Sequence, residues 1–82
     1  MYEDLASAPS RVIGVKQTVR ALERGVVLAV YVARDAEERV VRELKALARA
    51  KGIPVTPVES MDELGKVCGI DVGAAAAAVL HE

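Results

Sequence analysis

An unbroken apolar run, VVLAVYVA at positions 26–33, constrains the fold of this chain more than any other segment. It is rich in β-branched residues and contains no polar residue, which is typical of a strand covered on both faces. Helical patterns flank it. Before it, apolar residues recur every three or four positions over 16–24, and Gly25 stands where a C-terminal glycine cap belongs. After it, Asp35 and Glu38 form an acidic version of a capping box. A buried strand between two helices predicts an α/β fold.

The helix after Asp35 is predicted to be long and to end at Gly52. Its buried stripe is predicted to consist of Val40, Val41, Leu44, Leu47 and Ala48. Two shorter helices are also predicted. One covers about 2–8, before Pro9 and Ser10, and the other runs from the capping box of Ser60 and Glu63 through Cys68, where Gly69 closes it.

Further strands are predicted at RVIG (11–14), IPVTPVES (53–60) and 76–80. The prolines of the second segment cannot donate ladder hydrogen bonds, so it is expected at an edge or a strand end. The last segment is ambiguous because alanine prefers helix, but a strand there would complete the sheet. The predicted fold is a three-layer α/β/α sandwich around a small mixed four-stranded sheet, forming one domain over 1–82.

The bulk properties favour a binding module over an enzyme. A chain of 82 residues is too short for separate cofactor and substrate lobes. Cys68 is the single cysteine, so no internal disulfide can form, and no Cys/His cluster predicts a metal site. Neither Cys68 nor His81 has a partner specified by the sequence, and GVKQT lacks the spacing of a phosphate-binding loop. We expect no cofactor, no membrane segment or signal peptide, and a cytoplasmic protein.

The charges are distributed unevenly along the chain. The net charge is −1, which by itself disfavours a polyanionic partner. However, residues 1–51 hold ten of the eleven Lys and Arg against seven acids, whereas 52–82 hold only Lys66 against five acids. Any nucleic-acid site must therefore be local.

Three cations share one face at the start of the helix over 16–24. Lys16, Arg20 and Arg24 are four residues apart, with Gln17 beside them. Cations do not suit the positive end of a helix dipole, so they gain little for folding, but an arriving anion would meet both the dipole and the cations. Gln17 could contact a base edge, and Arg20 could contact guanine O6 and N7. The alternative is an ordinary solvated helix face.

The segment GIDVG at 69–73 places two apolar residues in a loop. Ile70 and Val72 flank Asp71 between two glycines. If the apolar side chains are exposed, they form a platform for a splayed-out base; otherwise they turn inward and close the core. Only two aromatic residues are present, so the ring platforms of many single-strand RNA binders are missing.

Three segments together resemble one known family. GVKQTVRALERG, LAVYVARDA and IPVTPVESMDELGKVCGIDVGAAAAAVL are similar to the kink-turn RNA-binding ribosomal-protein family of the archaeal and eukaryotic large subunit, in its small bacterial ribosomal-protein-like branch. The resemblance covers nearly the whole chain, and ELGKVCGIDVGAA is its most specific part. It implies an α/β/α sandwich that recognises a sharply bent RNA internal loop with tandem sheared G·A pairs.

The resemblance also implies roles for particular residues. Gly14 lies at the turn, while Lys16, Gln17 and Arg20 occupy the places of the family's Asn-Glu-x-x-Lys motif, which contacts the guanine edges. The late apolar loop would cover an extruded nucleotide. The RNA-binding residues are predicted to be Gly14, Lys16, Gln17, Arg20, Arg24, Lys66, Ile70, Asp71, Val72 and Gly73.

Two departures from the family pattern affect these roles. Lys-Gln in place of Asn-Glu removes an acid and adds a cation, which favours phosphate attraction over base discrimination. Gly73 stands where archaeal and eukaryotic relatives often have proline, so the loop is less preorganised. We expect a monomer that binds a kink-turn in ribosomal RNA or a messenger leader. The alternatives are a protein-interaction or small-ligand module of the same fold, or a free-standing relative of the recognition domains joined to RNA methyltransferases.

Overall fold

The computed structural model describes residues 2–81, which form four helices and four strands. In chain order they are α1 (Glu3–Ala6), β1 (Arg11–Ile13), α2 (Val15–Arg24), β2 (Val27–Ala33), α3 (Glu38–Ala50), β3 (Val55–Val58), α4 (Met61–Cys68) and β4 (Ala76–Leu80). The strand order in the sheet is β1-β4-β2-β3. β2 and β3 are parallel, whereas β4 is antiparallel to both β1 and β2. The predicted mixed four-stranded sheet is confirmed.

Helices cover both faces of this sheet. Val30 and Val32 of β2 point to the core shared with α2 and α3, and the alternate residues Tyr31 and Ala33 point to the core shared with α1 and α4. This alternation follows from the two-residue period of a strand. The three-layer α/β/α sandwich is therefore confirmed. Within residues 2–81, no helix has both the length and the apolar character needed to cross a membrane.

The alanine run forms the inner strand β4, as predicted. Ala76, Ala77 and Ala78 are fully buried, and β4 pairs with β1 on one side and with β2 on the other. Small side chains on both faces allow the two helical layers to approach the middle of the sheet closely. Hydrogen bonding on both edges of the strand thus outweighs the preference of alanine for helix.

Most of the predicted helix signals hold, with small changes. Ser60 Oγ accepts a hydrogen bond of 3.0 Å from the Glu63 N–H, which confirms the cap of α4. α1 is a single turn, shorter than the predicted 2–8. On α3, Val41, Leu44 and Ala48 are buried, but Val40 is 43% exposed, so its place in the predicted stripe is wrong. It lies at the outer margin of the stripe, where α3 faces solvent.

The predicted Asp35 cap of the long helix is wrong. The N-cap of α3 is Glu37, which makes no capping bond through its side chain. Asp35 Oδ1 instead accepts a 2.8 Å hydrogen bond from the N–H of Met61, the first residue of α4. The reason is that the chain turns after β2 so that Asp35 meets the start of a neighbouring helix. Asp35 and Ser60 therefore cap the same helix from two parts of the chain.

Arg11 connects α1 and α4, the two helices that cover one face of the sheet. Its guanidinium donates hydrogen bonds of 2.9 and 3.2 Å to the carbonyls of Leu5 and Ala6, and another of 2.9 Å to the carbonyl of Cys68. These carbonyls lie at the C-terminal ends of α1 and α4, where unsatisfied acceptors favour a cation. Arg11 is thus a structural cation and is not available to a ligand.

Candidate nucleic-acid interface

The starts of three helices lie together at the edge of the sheet where strands β1, β2 and β3 have their carboxyl ends. β1, β2 and β3 all end there, α2, α3 and α4 begin just beyond them, and the antiparallel β4 starts there. We name it the helix-start edge. The loop between α4 and β4, residues 69–75, returns to the same edge. The starts of α2 and α3 have no side-chain cap and so present free N–H groups and the positive end of each dipole, whereas the start of α4 is capped by Asp35 and Ser60.

Three backbone hydrogen bonds hold the loop at the helix-start edge. The Gly14 N–H donates to the Ala76 carbonyl at 2.8 Å, which ties the start of α2 to the start of β4. The Ala33 N–H donates to the Ala75 carbonyl at 2.9 Å, and the Ala74 N–H donates to the Met61 carbonyl at 3.1 Å. The start of α2 is therefore a neighbour of the start of β4, into which the loop leads.

Gly14 forms the turn that begins α2. Its φ of 112° lies in a region that other residues rarely adopt. A β-carbon at this position would lie 2.5 Å from Gln17 Oε1, so the Gln17 amide folds back over the turn. Thr18, which is fully buried, donates from its hydroxyl to the Gly14 carbonyl at 2.7 Å. The Thr18 bond holds the turn, and the exposed Gln17 side chain lies over it at the edge.

Lys16, Arg20 and Arg24 form a row of exposed cations, which we name the α2 stripe. Within residues 2–81, none of the three has an acidic group within 4.0 Å. Like charges four residues apart on a helix repel by a few tenths of a kcal/mol. Arg24 lies eight residues beyond Lys16, or about 12 Å further along the axis. Lys16 and Arg20 are thus close to the edge, whereas Arg24 is not.

The loop packs on α4 through two glycines. The Gly65 α-carbon faces the Val72 carbonyl with no room for a side chain, and a β-carbon on Gly73 would lie 3.1 Å from Met61 Cβ. Met61 and Gly65 are one helical turn apart and so lie on the same face of α4. The loop therefore crosses this face of the helix in van der Waals contact.

The two apolar loop residues point in different directions. Ile70 is half-buried and packs against the core between α4 and the sheet, as the inward-turning alternative proposed. Val72 is 70% exposed, which makes it the most exposed large apolar side chain among residues 2–81. Asp71 and Gly73 are exposed beside it, and Lys66 is exposed on the adjoining turn of α4. Of the two apolar loop residues, Val72 is therefore the one that faces outward.

Sequence reasoning missed two residues at this edge. Arg34 follows the last residue of β2, and its N–H donates to the Val58 carbonyl at 2.8 Å. Its side chain is 61% exposed and pairs loosely with Glu59 at 3.9 Å. Asp35, next to it, caps α4. Their position directly after a buried strand was the signal that could have placed them at the edge.

The thiol of Cys68 is not arranged for catalysis. Cys68 is 2% exposed, and this burial raises the pKa of the thiol, although the nearby positive charge of Arg11 opposes the increase. The thiolate, which is the nucleophile, is therefore disfavoured. Across residues 2–81, no group of three or more His, Cys, Asp and Glu side chains is arranged to hold a metal ion.

Comparison with known proteins agrees with this architecture. The model of the Ribosomal protein L7Ae/L30e/S12e/Gadd45 family matches residues 3–82. The chain belongs to this family. Its bacterial relatives include an RNA-binding protein of Halalkalibacterium halodurans, 54% identical over 95% of both chains. The RNA-binding protein YbxF of Geobacillus stearothermophilus is 48% identical over 98% of both chains.

The family relationship extends to archaea and eukaryotes. The large ribosomal subunit protein eL8 of Halobacterium salinarum is 48% identical over 82% of this chain and 57% of its own length. Among solved structures, the Giardia lamblia 15.5kD RNA binding protein superposes with a TM-score of 0.85 at 26% identity. That match covers 94% of this chain and 65% of the Giardia protein. The predicted family, including its small bacterial branch, is confirmed.

Gly65→Ala tests how the loop is seated. In an open helix this change would stabilise the protein by up to about 1 kcal/mol, because alanine is the better helix former. Here the new methyl group would displace the Val72 carbonyl, so we expect a net loss of about 1–3 kcal/mol, measured by urea denaturation. A higher unfolding midpoint in the variant would show that the loop does not depend on this contact.

Proposed function

We propose that this protein binds RNA through residues 1–82, acting as a single domain, and that it recognises kink-turn RNA. The observation that carries the proposal is the position of the α2 start and the Val72 loop at one edge. Family membership and the bacterial relatives named RNA-binding proteins support the RNA partner. The kink-turn as its preferred form follows from the resemblance in the Gly14, Lys16, Gln17 and Arg20 motif.

The start of α2 supplies the polar half of the proposed site. Lys16 and Arg20 have no acidic partner within residues 2–81, so no ion pair has to break when they bind a phosphate or a base. The Gln17 amide, positioned over Gly14, offers both a donor and an acceptor to a base edge. Arg20, one turn further, can donate two parallel hydrogen bonds to guanine O6 and N7.

The Val72 loop supplies the apolar half. An aliphatic side chain that is 70% exposed can cover the face of an extruded base and remove apolar surface from water. The loop has its Gly65 and Met61 contacts before any RNA arrives, so little ordering of the backbone is needed. Asp71, beside Val72, would exclude a phosphate from this end and so favour one orientation of the RNA.

Binding of this kind requires no chemical step. A bent RNA brings its phosphates together, and their repulsion favours extended forms of the free RNA. A protein complementary to the bent form alone shifts the population toward it. A shift from 1:99 to 99:1 requires a difference of about 5.5 kcal/mol in binding free energy between the two forms. The α2 stripe offsets part of the phosphate repulsion.

Gel-shift titration with a matched pair of RNAs tests the proposal. One RNA carries an internal loop with tandem G·A pairs, and in the other these pairs are replaced by Watson–Crick pairs. We expect much tighter binding to the first RNA, because only that RNA can adopt the bent form. Equal dissociation constants would exclude kink-turn recognition and leave general phosphate attraction.

Arg20→Ala tests the polar half of the site. If Arg20 makes the two-pronged guanine contact, its loss should weaken binding to the kinked RNA by about 1–3 kcal/mol. Glu23→Ala, on the same helix, is the matched control and should not weaken binding. An unchanged dissociation constant for Arg20→Ala would remove Arg20 from the interface.

Val72→Asp tests the apolar half. The side chain is exposed, so the fold should be retained, whereas a carboxylate desolvated against the face of an extruded base should reduce RNA affinity at least tenfold, or about 1.4 kcal/mol. Thermal unfolding and gel shift are measured on the same samples. Unfolding of the variant would contradict the exposed position of Val72, and unchanged RNA binding would contradict its role as a base platform.

A further inference from the structure

The two helical layers carry opposite net charge. α2 and α3 together contain seven basic and three acidic residues, whereas α1 and α4 contain one basic and four acidic residues. The layers thus have net charges of +4 and −3. An RNA bound at the helix-start edge, which both layers border, would be attracted to the α2–α3 side and repelled from the α1–α4 side.

A second row of cations, separate from the α2 stripe, lies on α3. Arg42, Lys45 and Arg49 are three and four residues apart and so share one face of the helix, which we name the α3 stripe. Lys45 pairs with Glu38 at 3.0 Å, but Arg42 and Arg49 are exposed and have no acidic group within 4.0 Å among residues 2–81. The helix dipole favours Arg49 in the last turn, but it does not explain Arg42 in the middle of the helix.

A groove connects the α3 stripe with the helix-start edge. It lies between α3 and β3 and encloses about 300 Å³, with Val41, Val55 and Pro57 among its lining residues. Arg34 lines it at the edge and Lys45 lines it further along α3. The acid lining the groove, Glu38, is already held by Lys45. Both cations of the groove carry ion pairs, since Arg34 also pairs loosely with Glu59 at 3.9 Å, so among residues 2–81 the unpaired positive charge on this side of α3 lies on Arg42 and Arg49.

We propose that the α3 stripe is a second phosphate-binding surface, which holds the backbone of one of the two stems that flank the bent element. This inference rests on the proposed RNA-binding function. α3 begins at the helix-start edge and its 13 residues run about 20 Å away from it, so a stem leaving the kink on this side follows the stripe. The contact is electrostatic and independent of sequence, since arginines on an open helix face meet phosphates rather than base edges.

The test uses three RNAs with the tandem G·A loop, a Watson–Crick-paired counterpart of the first, and the double variant R42Q/R49Q. The first RNA has the tandem G·A loop between stems of about 4 base pairs, which extend about 14 Å at 3.4 Å per pair and so end before Arg49, about 16 Å along α3. In the other two RNAs, one stem or the other is extended to about 12 base pairs, which spans the helix. The charge-conserving variant R42K/R49K is the matched control.

We expect R42Q/R49Q to bind one of the long-stem RNAs about three- to tenfold more weakly than the unchanged protein does at 0.15 M salt, and to lose less affinity for the short RNA, whose stem reaches Arg42 alone. The slope of log affinity against log salt should fall by about 1–2 for that RNA, as expected when two phosphate contacts are lost. R42K/R49K should retain both the affinity and the slope.

The outcomes separate this inference from the proposed function. Failure of the unchanged protein to prefer the short RNA over its Watson–Crick-paired counterpart would overturn the proposed function. Normal binding of the short RNA, together with equal affinity of R42Q/R49Q and the unchanged protein for both long-stem RNAs, would overturn the α3 surface alone. An equal loss in R42K/R49K would also overturn it, since charge would not then be what the stripe supplies.

Discussion

The pairing of β4 with strands on both of its sides is the interaction on which the rest of this structure depends. β4 enters between β1 and β2, antiparallel to each, although it comes last in the chain. Its first residue, Ala76, therefore lies where β1 and β2 end, and the loop before it must arrive beside the starts of α2 and α3. Without that insertion, Gln17 and Val72 would have no reason to share an edge. A function proposed for two distant segments thus depends on one strand's position.

Side-chain and backbone contacts then fix the edge in detail. Asp35 and Ser60 cap α4 from different parts of the chain, which holds the end of β2 against the start of that helix. The absence of a side chain at Gly65 lets the loop lie directly on α4 and leaves Val72 facing outward. The resulting surface is largely preformed. A preformed surface would suit the proposed selection of one RNA shape from an ensemble.

Several residues that the proposed site uses contribute little to folding. The α2 stripe and the α3 stripe place like charges on successive helical turns, where they repel each other. Val72 leaves apolar surface in water. Local rules of stability are often broken at functional sites, because the compensating interaction comes from a partner outside the chain. Arg11 is the contrasting case, since its guanidinium donates hydrogen bonds to helix-end carbonyls.

The sequence by itself determined the element types, most of their bounds, the mixed sheet and the family, because these depend on local periodicity, caps and motif residues. The VVLAVYVA strand and the Ser60 cap are examples, and both were predictable. Only the tertiary structure decided that Ile70 turns inward while Val72 turns outward, that Asp35 caps α4 rather than α3, and that Arg34 lies at the edge. Those outcomes depend on contacts between residues far apart in the chain. Local sequence preference carries no information about which distant backbone atom a side chain will meet.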